Sequence, residues 1–120
     1  MTLRELNQMR YLAKEIRFNE QRLRKLERSL EVDIDDPTIY DIRERIAERI
    51  RRCTVEWERI ERYVDTVDDS YIRIIMTLRF VDGLSWRAVA AKVGGGNTDD
   101  SVKKAVYRYL SEGGQNELVP

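Results

Sequence analysis

The sequence predicts an all-α protein: a long antiparallel helical hairpin followed by a C-terminal three-helix module with a helix-turn-helix. Three observations predict it. Charged residues fill 37 % of 120 positions, while glycine (6) and proline (2) are scarce, a composition of helices with solvated faces. Apolar residues recur at steps of three and four through the first half. Capping residues and glycines then punctuate the second half at short intervals.

The first helix is expected from Thr2 to Leu30. Met9, Leu12, Ile16, Leu23, Leu26 and Leu30 form a heptad stripe, with Asn19 in the gap and Leu3 and Leu6 extending it upstream. The stripe breaks at Val32-Asp33-Ile34-Asp35-Asp36-Pro37. An aspartate before a proline is a good helix start, so Asp36 is the expected N-cap and Pro37 the first position of helix two. That helix carries Ile39, Ile42, Ile46, Ile50, Cys53, Trp57, Ile60 and Val64 and is expected to end at Tyr63 to Asp65, with Val67 extending the stripe.

The two stripes can be laid against each other. In an antiparallel hairpin, facing residues have numbers with a constant sum. Leu30 with Ile39, Leu23 with Ile46, Asn19 with Ile50, Ile16 with Cys53, Leu12 with Trp57 and Met9 with Ile60 obey this, and Leu26 with Ile42, Leu6 with Val64 and Leu3 with Val67 miss by one. Asn19 is the one polar layer. It either fixes register or oligomeric state, or reaches solvent at the seam edge. Tyr11 and Phe18 lie seven apart and off the seam, a second apolar stripe for either the C-terminal module or a second copy of the hairpin. Self-association of paired hairpins into a four-helix bundle is the favoured reading, beside that of two isolated exposed aromatics.

Asp68-Asp69-Ser70 is a capping cluster for a third helix containing Tyr71, Ile72, Ile74, Ile75, Leu78, Phe80 and Val81, closed by Asp82-Gly83. Ser85 caps a fourth helix with Val89, Ala90 and Val93 on one face, stopped by Gly94-Gly95-Gly96-Asn97. Thr98 caps a fifth, with Asp99 and Asp100 in its first turn and Val102, Val106, Tyr109 and Leu110 on its buried side. The expected domains are the hairpin (1–66), the helix-turn-helix module (67–112) and a loose tail (113–120).

Composition excludes several functions. The chain has no histidine, so a Ser-His-Asp triad and a Cys/His zinc site are ruled out. Cys53 is alone and is expected as a buried structural thiol. No apolar run approaches the roughly 18 to 20 residues of a membrane span, and the N-terminus lacks a signal-peptide core, so a cytoplasmic protein without membrane contact is expected. Gly94-Gly95-Gly96 lacks the lysine of a phosphate loop, and Asp33, Asp35 and Asp36 lack the glycine and glutamate of a calcium loop. No catalytic residue, cofactor or metal is expected, and the chain reads as a non-enzyme.

Net charge is zero, from 22 basic and 22 acidic side chains, so any attraction to nucleic acid must be local. The last helix supplies it. Lys103, Lys104 and Arg108 carry positive charge there, and Thr98, Ser101 and Tyr107 add hydrogen-bonding groups suited to phosphate or base edges.

Asp82-Gly83-Leu84-Ser85-Trp86-Arg87-Ala88-Val89-Ala90 followed by Ser101-Val102-Lys103-Lys104 resembles region 4 of sigma-70-type factors. The whole chain is similar to small phage and prophage transcriptional regulators of the ArpU or RinA type. The resemblance implies a sequence-specific reader of double-stranded DNA in the cytoplasm of a bacterial host, with a homodimer through the hairpin and RNA polymerase as a candidate partner. It implies that Ser85 caps the first helix of the motif and touches phosphate, and that Arg87 lies near the DNA backbone. Ser101, Lys103, Lys104 and Arg108 would face DNA, while Val89, Ala90, Val93 and Val102 would be core. Asp99 and Asp100 are expected only to cap the helix. Two alternatives stand beside this reading: a DNA-packaging recognition subunit similar to a small terminase, and a protein-only adaptor.

Overall fold

Amphipathic periodicity and local capping build five helices in the computed structural model, which describes residues 1–28 and 36–113. No strand occurs among the described residues. Helix α1 spans Leu3–Arg28 and α2 spans Pro37–Asp65; the two pair as the expected hairpin. Helices α3 (Ser70–Met76), α4 (Trp86–Val93) and α5 (Asp99–Arg108) form the C-terminal module. The Leu30–Ile39 layer, the turn carrying Asp33 and Asp35, and the tail beyond 113 lie outside the described residues.

The long helices start on side-chain caps. Thr2 and Glu5 form a reciprocal pair at α1. The Glu5 N–H donates to Thr2 Oγ1 (3.2 Å), and the Thr2 N–H donates to Glu5 Oε1 (3.2 Å). At α2 the Thr38 N–H donates to Asp36 Oδ1 (2.8 Å), as expected of an aspartate N-cap ahead of Pro37. The partners across the hairpin run in opposite order along the two helices: Glu5 meets Arg59, Glu15 meets Cys53 and Glu27 meets Arg43.

The chain gathers into two compact units, and α1 and α2 pass through both. The first contains, among the described residues, 1–10 together with 59–113. Its core is dense: Leu6, Met9, Ile60, Ile75, Met76, Val89, Val102 and Val106 are fully buried. Val67, past the end of α2, is buried as well. Burying a Val, Leu, Ile or Met side chain contributes about 1.5–3 kcal/mol, so this cluster supplies much of the module's stability.

The second unit, Tyr11–Glu58, is thinner. Of its seam, Asn19, Ile46 and Cys53 are buried, whereas Leu12, Ile16, Leu23, Leu26, Ile42, Ile50 and Trp57 are half-buried. Two helices without a third layer can cover only one side of each seam residue. Asn19 does not reach solvent. It is 6 % exposed, its Nδ2 donates to the Glu15 carbonyl in its own helix (2.9 Å), and its Oδ1 accepts from Arg22 (3.2 Å). Both hydrogen bonds stay within α1, so neither sets the register against α2.

Cys53 is the expected buried thiol. It donates to Glu15 Oε2 (3.2 Å). Burial, reinforced by that carboxylate, pushes its pKa from 9.0 to about 11.

Candidate nucleic-acid interface

The helix-turn-helix geometry begins with the link between α3 and α4. The third helix does not stay α-helical to Val81. Thr77–Val81 widens into a π-helical turn, closed by the Asp82 N–H donating to the Thr77 carbonyl (2.9 Å). Phe80 is buried, and Arg79 lies half-buried over the Trp86 ring, 4.8 Å from its centroid. Its Nη1 donates to the Leu84 carbonyl (2.9 Å), which ties the loop before α4 to the end of the third helical segment. Its Nε is buried without a hydrogen-bond partner among the described residues. Burial and the charge of Arg10 press the Arg79 pKa downward.

Ser85 caps α4 as expected, its Oγ accepting from the Ala88 N–H (3.1 Å). Gly94 ends the helix at φ 70°, ψ −155°, a conformation open essentially to glycine alone. Asn97 then braces the turn. Its Nδ2 donates to the Gly94 carbonyl (2.7 Å), and its Oδ1 accepts from the Tyr71 hydroxyl on α3 (2.8 Å). This clamp was not legible as such in the sequence; an asparagine directly after a glycine run was its only signal.

Thr98 and Ser101 form a complete capping box at α5: the Ser101 N–H donates to Thr98 Oγ1 (3.1 Å), and the Thr98 N–H donates to Ser101 Oγ (2.8 Å). Val102 and Val106 anchor the helix in the core at 0 % exposure. The opposite face presents Lys103, Lys104, Tyr107 and Arg108 to solvent. Tyr107 is 39 % exposed and stands edge-on to Trp86, with Lys103 Nζ 5.6 Å from its ring centroid. Trp86 is in turn edge-on to Phe80, so an aromatic column runs from the core to the surface of α5.

The structure thus brings together Lys103, Lys104, Tyr107 and Arg108 on one helix. Ser85, Thr98 and Ser101 are exposed, but their hydroxyls are committed to caps. Arg87 is exposed in the first turn of α4. Asp99 accepts from the Asp100 N–H (2.9 Å), and Asp100 pairs with Lys104 (2.8 Å). Both members of that pair are largely exposed, so it holds Lys104 only weakly against a competing phosphate. Chemically, this face can donate hydrogen bonds and offer positive charge to a flat anionic surface. No protein-family model, curated protein or solved structure matches the chain.

Proposed function

We propose that this chain is a sequence-specific double-stranded DNA-binding protein, a phage or prophage transcriptional regulator without enzymatic activity. One observation carries the reading. The helix that follows the tight Gly94–Asn97 turn is anchored by Val102 and Val106 and turns Lys103, Lys104, Tyr107 and Arg108 outward. A rigidly seated helix with a basic outer face suits the major groove of duplex DNA, where lysine and arginine reach phosphates and guanine edges. Arg87 flanks it as a further contact, as do Ser85 and Thr98, whose hydroxyls only accept in their caps and keep a proton to donate to phosphate. Ser101, whose hydroxyl both accepts and donates within the cap, adds its exposed edge. The proposed partners are DNA, a second copy of the chain through the hairpin, and RNA polymerase; the proposed setting is the cytoplasm of a bacterial host.

The test is a duplex-binding titration over a range of salt. Lys103→Gln with Lys104→Gln should weaken binding and reduce the slope of log K against log salt by about 1.8, at roughly 0.9 per phosphate contact. Unchanged binding rejects α5 as the reading helix.

A second reading, a protein-only adaptor, draws on α3. Ile74 is 51 % exposed and Tyr71 38 %, an apolar patch that DNA does not need. Duplex binding by the wild-type chain that survives Ile74→Glu but fails in the lysine variant speaks against it.

A further inference from the structure

Neither the C-terminal module nor the hairpin has a net positive charge of any size, but the hairpin gathers cations locally on one side of its seam. From Asp65 onward the sequence has seven basic and eight acidic residues, a net charge of −1. Within the unit Tyr11–Glu58, a groove runs along one side of the seam, bordered by Arg22 from α1 and by Arg45 and Arg49 from α2, with Ile42, Ile46 and Asn19 as its floor. Arg22 also borders a shallow recess with Lys25, and Arg45 and Arg49 border another with Arg51 and Arg52. Six cations therefore share one continuous surface. The carboxylates lining it are Glu15, Glu44 and Glu48.

Three of the six cations have acidic partners among the described residues: Arg51 (2.8 Å) and Arg52 (3.0 Å) share Glu48, and Arg45 pairs with Asp41 (3.1 Å). All of these pairs are largely exposed and so hold their arginines only weakly against a competing phosphate, while Glu15 keeps its charge as it accepts the Cys53 thiol. Among the described residues, Arg22, Lys25 and Arg49 meet no carboxylate within ion-pair distance. Arg22 is instead held over the groove by the oxygen of buried Asn19 (3.2 Å). Asn19 thereby has a task besides filling the seam: its hydrogen bond within α1 holds a guanidinium at the groove. Arg45, Arg49 and Arg52 follow at i, i+4 and i+7, a row about 10 Å long at 1.5 Å per residue. Measured along the duplex axis, that length corresponds to about three base-pair rises of roughly 3.4 Å. Five of the six cations are arginine, whose planar fork suits phosphate oxygens.

We propose that this seam surface is a second contact for the phosphate backbone of duplex DNA, independent of base sequence. The proposal rests on the DNA-binding reading above and extends it to a different part of the molecule. A helix-turn-helix module with balanced charge gains affinity from a separate cationic surface in the same chain, because each neutralised phosphate releases counterions.

The test uses the full chain, a random-sequence duplex and fluorescence anisotropy over a salt series. Arg22→Gln, Arg45→Gln and Arg49→Gln combined should reduce the salt slope by about 2.7, at roughly 0.9 per phosphate, while the matching triple lysine variant should keep it. If the glutamine triple loses helicity by circular dichroism, Arg49→Gln alone, with an expected drop of about 0.9, carries the same test. A slope unchanged in the glutamine variants, with Lys103→Gln/Lys104→Gln still effective, overturns the hairpin contact and leaves the helix-turn-helix reading intact. The reverse pattern supports the hairpin contact and rejects α5. An unchanged slope accompanied by lost self-association assigns the surface to a protein partner and overturns the proposal. Absence of wild-type binding to any duplex at low salt overturns both.

Discussion

Burial and a neighbouring carboxylate decide the chemistry of Cys53. Its thiol is held protonated up to about pH 11, so native protein should react with maleimide at pH 8 far more slowly than urea-unfolded protein. Equal rates would contradict the buried thiol–Glu15 contact. The same shift makes stability depend on pH. The folded pKa is raised, so the contribution is complete below the ordinary value of 9.0 and is lost as pH rises through about 11. Denaturant midpoints should fall more steeply across that window in wild type than in Cys53→Ala. Arg79 acts by tying rather than by pairing. Arg79→Ala removes the Leu84 hydrogen bond and the stacking on Trp86, with an expected cost of about 1–2 kcal/mol in chemical denaturation. A stabilised variant would mean that relief of the buried Nε and of repulsion from Arg10 outweighs those contacts.

Caps and one glycine set the geometry of the α4–α5 element. Thr98→Ala removes half of the capping box and should cost about 1 kcal/mol. Gly94→Ala should cost about 1–3 kcal/mol, although no atom lies within 4 Å of the added Cβ. The penalty comes from the backbone conformation, not from crowding. Equilibrium unfolding of the two variants separates these origins: an alanine at position 94 tolerated without loss would show that the turn has another backbone solution. Both changes loosen the seat of α5, so both should weaken DNA binding without touching an outward-facing side chain.

Exposed aromatics raise the question of assembly for the whole molecule. Tyr11 is 58 % exposed and Phe18 64 %, and they lie seven residues apart on α1. Large aromatic rings left in water on a half-buried hairpin favour pairing with a second hairpin. Sedimentation or light scattering should give a dimer for wild type and a monomer for Tyr11→Glu with Phe18→Glu. A ring of many copies would instead favour the packaging-subunit alternative, and a wild-type monomer would remove the hairpin dimer from the proposal. Dimerisation would double the number of cationic surfaces per complex, so a pairing-deficient variant that leaves the charge unchanged, Tyr11→Gln with Phe18→Gln, should also lower duplex affinity.

The sequence by itself determined the helices, their caps and the pairing of α1 with α2. Those features depend on residues a few positions apart, or on two regular stripes whose spacing must match. Asp36, Asp69, Ser85 and Thr98 were legible as caps because capping is local chemistry. Only the tertiary structure decided which seam residues are buried deeply, because Leu6 and Leu23 look alike in a heptad stripe and differ only in the layers around them. It also decided that Asn19 turns inward to hold Arg22, that Arg79 and Tyr107 converge on Trp86 from different helical segments, and that Arg45 and Arg49 border one groove with Arg22. Each of those arrangements joins residues distant in the chain or chooses between faces of a helix, and local periodicity carries no information about either choice.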